Sequence, residues 1–85
     1  MKCKILYKSK NRLRVHLFHN NMSLKEADII EYYFRNIPQV KDVQVFDRTS
    51  DVVVLFRGDI NEIINAFASF HMKDINNLSL VPTHT

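Results

Sequence analysis

Two polar residues, Ser23 and Asp59, each open a run in which apolar side chains return every three or four places. In the first run Ser23 is followed three residues later by Glu26. In this capping-box spacing the hydroxyl accepts from the Glu26 amide and the carboxylate reaches back to the Ser23 amide. Leu24, Ala27, Ile30, Phe34 and Ile37 then fall within about 140° of arc at roughly 100° per residue, while Asp28, Tyr32 and Arg35 sit away from that stripe. Pro38 stops the helix, because the residue before a proline avoids helical angles. The second run repeats the logic with Asp59 and Glu62, and its stripe is Ile60, Ile63, Ile64, Phe67 and Phe70. Two one-sided helices in so short a chain need a common apolar surface to cover, and the remaining segments must supply it.

Those segments read as strands. Leu13, Val15 and Leu17 alternate with Arg12, Arg14 and His16, a period of two that buries one face and leaves the other polar. Lys4 to Tyr7 and Leu13 to Phe18 both read as strand, separated by the polar Ser9-Lys10-Asn11, with Ile5 to Tyr7 expected to lengthen the latter through a kink or bulge. Val40, Val43 and Val45 point inward on a second strand. After the turn Arg48-Thr49-Ser50-Asp51, the β-branched run Val52 to Phe56 suits a central strand paired to it as a hairpin. Leu78 to Val81 is a short last strand that Pro82 closes. The order strand, helix, strand, strand, helix, strand predicts an α+β, ferredoxin-like sandwich, with two helices on one face of a four-stranded antiparallel sheet. Its core would combine the two stripes with Leu13, Val15, Leu17, Val43, Val45, Val52, Val54, Phe56, Leu78 and Leu80.

At 85 residues the chain is one domain, 1–85, with room for one core. No apolar run approaches the roughly 18 residues of a membrane span, and no signal-like stretch follows the N-terminus, so a soluble cytoplasmic domain is expected. One cysteine excludes a disulfide framework and a four-cysteine zinc site. One glycine leaves little from which to build a phosphate-cradling loop. With no nucleophile elbow either, the chain is not expected to be an enzyme and no cofactor is expected. The net charge of +3 is uneven: Lys2, Lys4, Lys8, Lys10, Arg12 and Arg14 give the first 20 residues +6 with no acid, so the remainder sums to −3. That end either meets an anionic partner or is a lysine-studded edge strand that resists sheet-to-sheet pairing.

The run from Ser23 through Ile37-Pro38-Gln39-Val40-Lys41-Asp42-Val43-Gln44-Val45, followed by Arg48-Thr49-Ser50-Asp51-Val52-Val53-Val54, resembles heavy-metal-associated domains. In that family a helix ends in Leu-Pro-Gly-Val and is followed by two valine-rich strands about a short turn. Asn11 to His16 and Met22 to Tyr33 are similar to a cysteine-poor version found at the N-terminus of bacterial P-type cation-transporting ATPases. The resemblance implies a non-catalytic regulatory or interaction domain of an ATP-driven heavy-metal or cation pump, docking onto other cytoplasmic domains of the same transporter. Metal-carrying members place a Cys-x-x-Cys pair before the first helix. Here those positions fall on Ser23 and Glu26, a hydroxyl and a carboxylate that suit soft cations poorly. Gln39 and Ser50 stand where the family has glycines.

His19, Met22 and Glu26 are the remaining metal candidates around that loop, with His16 nearby. They lack a ligand spacing, and the plainer account makes Met22 a packing residue and His16 a solvated strand residue. Cys3 reads as an inert terminal thiol, and His71 as a cation near a helix end. The interaction face is expected on the open side of the sheet, at Arg12, Arg14, His16, Phe46, Val53 and Leu55, with Ile29 and Tyr32 outside the first helix. A second copy of the domain could meet it as a weak homodimer. The alternative is a stand-alone module binding RNA or a small ligand. RNA-recognition modules share the topology but stack bases on aromatics of the two central strands, and those rings are missing here, so nucleic acid is not expected.

Overall fold

The computed structural model describes residues 3–18 and 22–70. They form β1 (Cys3–Lys8), β2 (Arg12–Leu17), α1 (Leu24–Arg35), β3 (Val40–Phe46), β4 (Asp51–Phe56) and α2 (Ile60–Ser69). The four strands make one sheet in the order β1-β2-β4-β3, every neighbouring pair antiparallel. The predicted α+β architecture stands, with a change in who supplies the strand beside β2. Lys4 to Tyr7 is a strand, as read, but Ile5 to Tyr7 does not lengthen β2: the segment is the other arm of a hairpin. The Ser9 N–H donates to the Arg12 carbonyl at 2.8 Å and closes the turn. A tight turn between adjacent antiparallel strands needs far less chain than a crossover, so β1 takes the position expected for the last strand. Leu78 to Val81 lie outside the described residues.

Both edge strands carry an irregularity. The register of β1 against β2 shifts between Ile5 and Tyr7, and that of β3 against β4 between Val40 and Asp42. The second shift accounts for inward valines spaced three and then two apart: Val40 and Val43 both keep to the helix side, opposite Phe56 and Val54, because Lys41 is an extra residue. Bulges on edge strands twist them away from continued pairing.

Leu13, Val15, Leu17, Val43, Val52, Val54 and Phe56 are buried in one cluster with Ala27, Ile30 and Phe34 of α1 and Ile63 and Phe67 of α2. Stacked rings of Phe34 and Phe67, 4.1 Å between centroids, join the two helices. Phe70, the C-cap of α2, packs its ring 4.7 Å from that of Tyr33. Leu24 departs from expectation. It is 72% exposed, while Met22 is buried in the core. Leu24 lies at the outer margin of the stripe and in the first turn, and Met22, just before the N-cap, sits in the core with Ala27, the arrangement of a hydrophobic staple. Arg35 ties the far end of α1 to β3, donating to Glu31, Asp42 and the Val43 carbonyl.

The turns show where the two missing glycines matter. Ser50 has φ +61°, the left-handed region that glycine favours, and its carbonyl accepts from the Leu17 N–H at 2.8 Å. Gln39 needs no such conformation. Its carbonyl accepts from Arg57 N–H and its side-chain amide donates to Glu62. That second bond corrects the expected cap of α2: Asp59 accepts from the Asn61 N–H at 2.9 Å, but the Glu62 carboxylate turns to Gln39. Gly58 has φ +84° in the turn leading into α2.

Candidate interaction face

At the approach to α1, the capping box predicted from Ser23 and Glu26 is complete. The Glu26 N–H donates to Ser23 Oγ at 3.0 Å, and the Ser23 N–H donates to Glu26 Oε1 at 2.9 Å. The resemblance drawn from the sequence would make these two positions the place of a thiolate pair. Their oxygens are occupied with the first-turn amides, and neither is a soft donor, so the pair does not fit a copper-type cargo. Met22, with its thioether in the apolar core, is a packing residue. His19 lies outside the described residues. Among the described residues no three His, Cys, Asp or Glu side chains gather.

The opposite side of the sheet is where polar chemistry collects. The register places Arg12, Arg14 and His16 of β2 opposite Leu55, Val53 and Asp51 of β4, all directed away from the helices. Phe46 and Gln44 of β3 adjoin the same residues of β4 from the other side. The face therefore unites the six residues proposed from sequence, but in unequal states. Phe46 and Leu55 are exposed at 40% and 38%, whereas Val53 is only 4% exposed, flanked across the strands by Arg14 and Gln44. Val53 is the floor of the face and not part of an exposed patch. Ile29 is half-buried against the core and Tyr32 is exposed.

Asp51 organises this side and was read from sequence only as part of a turn. Its carboxylate accepts from Arg14 Nη2 at 2.9 Å through one oxygen and meets His16 Nδ1 at 2.9 Å through the other. The group is almost fully buried between partners that are each about one third exposed. Burial by itself would raise its pKa, but the hydrogen bonds from Arg14, His16 and Thr49 outweigh that and hold the carboxyl below the ordinary aspartate value. Its position could have been found by counting back in twos from Leu55 and Val53, which puts Asp51 on the polar side of β4 beside the β2 cations.

The aromatic rings also differ from expectation. The two central strands supply no stacking ring of their own to the face, yet each arginine of β2 lies over a ring from an edge strand. Arg14 sits 5.4 Å from the Phe46 centroid and Arg12 5.8 Å from that of Tyr7. Tyr7 joins the face only because β1 is a separate strand. Two shallow depressions indent this side: one of about 180 Å³ among Arg12, Asp42, Gln44, Val53 and Leu55, and one of about 310 Å³ around Phe46 and the β3–β4 turn. The arrangement suits docking: a rigid, charge-paired platform with two exposed apolar side chains, Phe46 and Leu55, in its surface.

No family model, curated protein or solved structure matches the chain. Among the described residues no helix is long and apolar enough to cross a membrane.

Proposed function

We propose that the chain is a non-catalytic interaction domain, similar to the cysteine-poor heavy-metal-associated domains of P-type cation pumps, and that it docks onto other cytoplasmic parts of the same transporter through the open face of its sheet. The observation that carries the proposal is the ordered platform of Arg14, Asp51 and His16 beside exposed Phe46 and Leu55. The buried, doubly bonded carboxylate adds to the stability of the fold and also fixes Arg14 and His16 on the face. A docking face gains from such fixing, because pre-ordered polar groups lose less entropy on binding. The completed Ser23–Glu26 capping box supports the same reading, since the segment that grips metal in other members serves here to start a helix. Regulation of the pump, not delivery of its ion, is the role that follows.

The test is the full-length product of the gene. The proposal expects a reading frame that encodes apolar spans and an Asp-Lys-Thr-Gly phosphorylation motif together with this domain. In that protein Leu55→Asp combined with Phe46→Asp should change cation-stimulated ATP hydrolysis several-fold while the domain stays folded. A product lacking such a catalytic domain, or hydrolysis unaffected by the double substitution, refutes it.

A further inference from the structure

The β1–β2 hairpin carries a feature that edge protection does not explain and that the open-face platform shares only at Tyr7 and Arg12. Ile5, Leu6 and Tyr7 are consecutive, large and apolar, and all three are exposed. A strand whose lysines served only to prevent sheet-to-sheet pairing would not place three such side chains beside them, since an exposed apolar edge is the hazard those lysines guard against. Around the trio are Lys4 and Lys8 on the same strand, Lys10 in the turn and Arg12 opposite, and residues 3–18 contain no acid.

The fold adds cations from distant parts of the chain at the hairpin tip. The Phe56 N–H donates to the Asn11 carbonyl at 2.9 Å, which brings the end of β4, and with it exposed Arg57, against the turn. Lys41, the extra residue of the β3 bulge, shares a depression of about 220 Å³ with Asn11, Leu55 and Phe56. Of the acids at this end, Asp42 is ion-paired with Arg35, while Asp59 and Glu62 accept from neutral partners, the Asn61 amide and the Gln39 side chain, and keep their charge beside α2.

We propose that this hairpin edge and tip dock on an anionic lipid surface, the lysines and arginines meeting headgroup charge and Ile5 and Leu6 entering the headgroup–acyl boundary. Flexible cations around short aliphatic side chains match a fluid, negatively charged interface. RNA fits less well, because base stacking needs open rings and the Tyr7 ring lies under Arg12. The inference goes beyond docking within a transporter, and Lys4, Lys8, Lys10 and Leu6, which its test alters, lie outside the open-face set, so either can fail without the other.

The experiment is partition of the whole chain into vesicles of phosphatidylcholine with and without about one third phosphatidylglycerol, at about 0.1 M salt. Binding is expected to the anionic vesicles only and to weaken steeply as salt rises. Replacing Lys4, Lys8 and Lys10 together by Gln should lower partition about 100-fold, at roughly fivefold per charge, with the circular dichroism spectrum unchanged. The protein has no tryptophan, so Leu6→Trp supplies a single fluorophore whose emission should shift to the blue on anionic vesicles. No partition into anionic vesicles, equal partition into neutral ones, an unaltered triple variant, an unshifted indole emission from the Leu6→Trp protein, or tighter binding to a short single-stranded RNA than to the vesicles would each overturn the proposal.

Discussion

The two faces of the sheet are held in order by different physics. On the helix side β2, β3 and β4 contribute aliphatic side chains that meet the aromatic seam of Phe34, Phe67 and Phe70, and stability there comes from filled volume. On the open side the same strands present a nearly buried aspartate between an arginine and a histidine, with rings covered by guanidinium groups. Order there comes from paired charge. The contrast teaches how to sort substitutions: those on the helix side should be felt as loss of fold, and those on the open side mainly as loss of binding, with Asp51 as the residue that belongs to both.

The largest effect should come from Phe34→Ala, which empties the seam between the helices and is expected to cost about 3–5 kcal/mol in denaturant unfolding. A cost below about 1 kcal/mol would break the comparison at its strongest point. Asp51→Asn comes next. It keeps the shape but removes the charge that Arg14 and His16 share, and about 1.5–3 kcal/mol should be lost. The same residue gives a pH signature. Because its carboxyl in the fold titrates below the ordinary aspartate value, it adds stability above that value. That contribution disappears as pH falls through the folded pKa. The acid-side drop in melting temperature should therefore be shallower in Asp51→Asn than in the native chain. Ser23→Ala removes half of the capping box and should cost about 1 kcal/mol, measured by the same unfolding experiment. Ser50→Gly should act in the opposite direction, gaining up to about 1 kcal/mol by relieving a left-handed conformation at a serine. Smallest of all, Leu55→Ser on the open face should change stability by less than about 0.5 kcal/mol. A larger loss would show that Leu55 holds the fold together and is not a docking residue.

Much of this was legible in the residues themselves. Both helices, the Ser23–Glu26 cap and the inward set of β2, β3 and β4 follow from periodicity and capping chemistry, which act over a few neighbours. What escaped depends on contacts between segments far apart in sequence. That β1 pairs with β2 was hidden because Lys4 to Tyr7 shows no clean alternation, and the bulge at Leu6 is the reason. Asp51 looked like a turn residue until the hairpin register set it across from His16. Val53 looked exposable because its own strand places it outward, and only the residues flanking it, Arg14 and Gln44, reveal it as floor. Ser50 is the reverse case: a glycine position in the resembled family correctly marked a strained turn, whereas the parallel inference at Gln39 met an ordinary backbone.

The central claim is that Ser23, before α1, and Glu26, in its first turn, form a helix start and not a grip for soft metal. Its most direct measurement is a backbone-amide NMR titration of the Cys3→Ser protein with Cu(I), then Zn(II). The account predicts that the resonances of Met22, Ser23, Glu26 and Ala27 stay in place through several equivalents of either ion. Stoichiometric, tight-binding shifts centred on those four amides would contradict it.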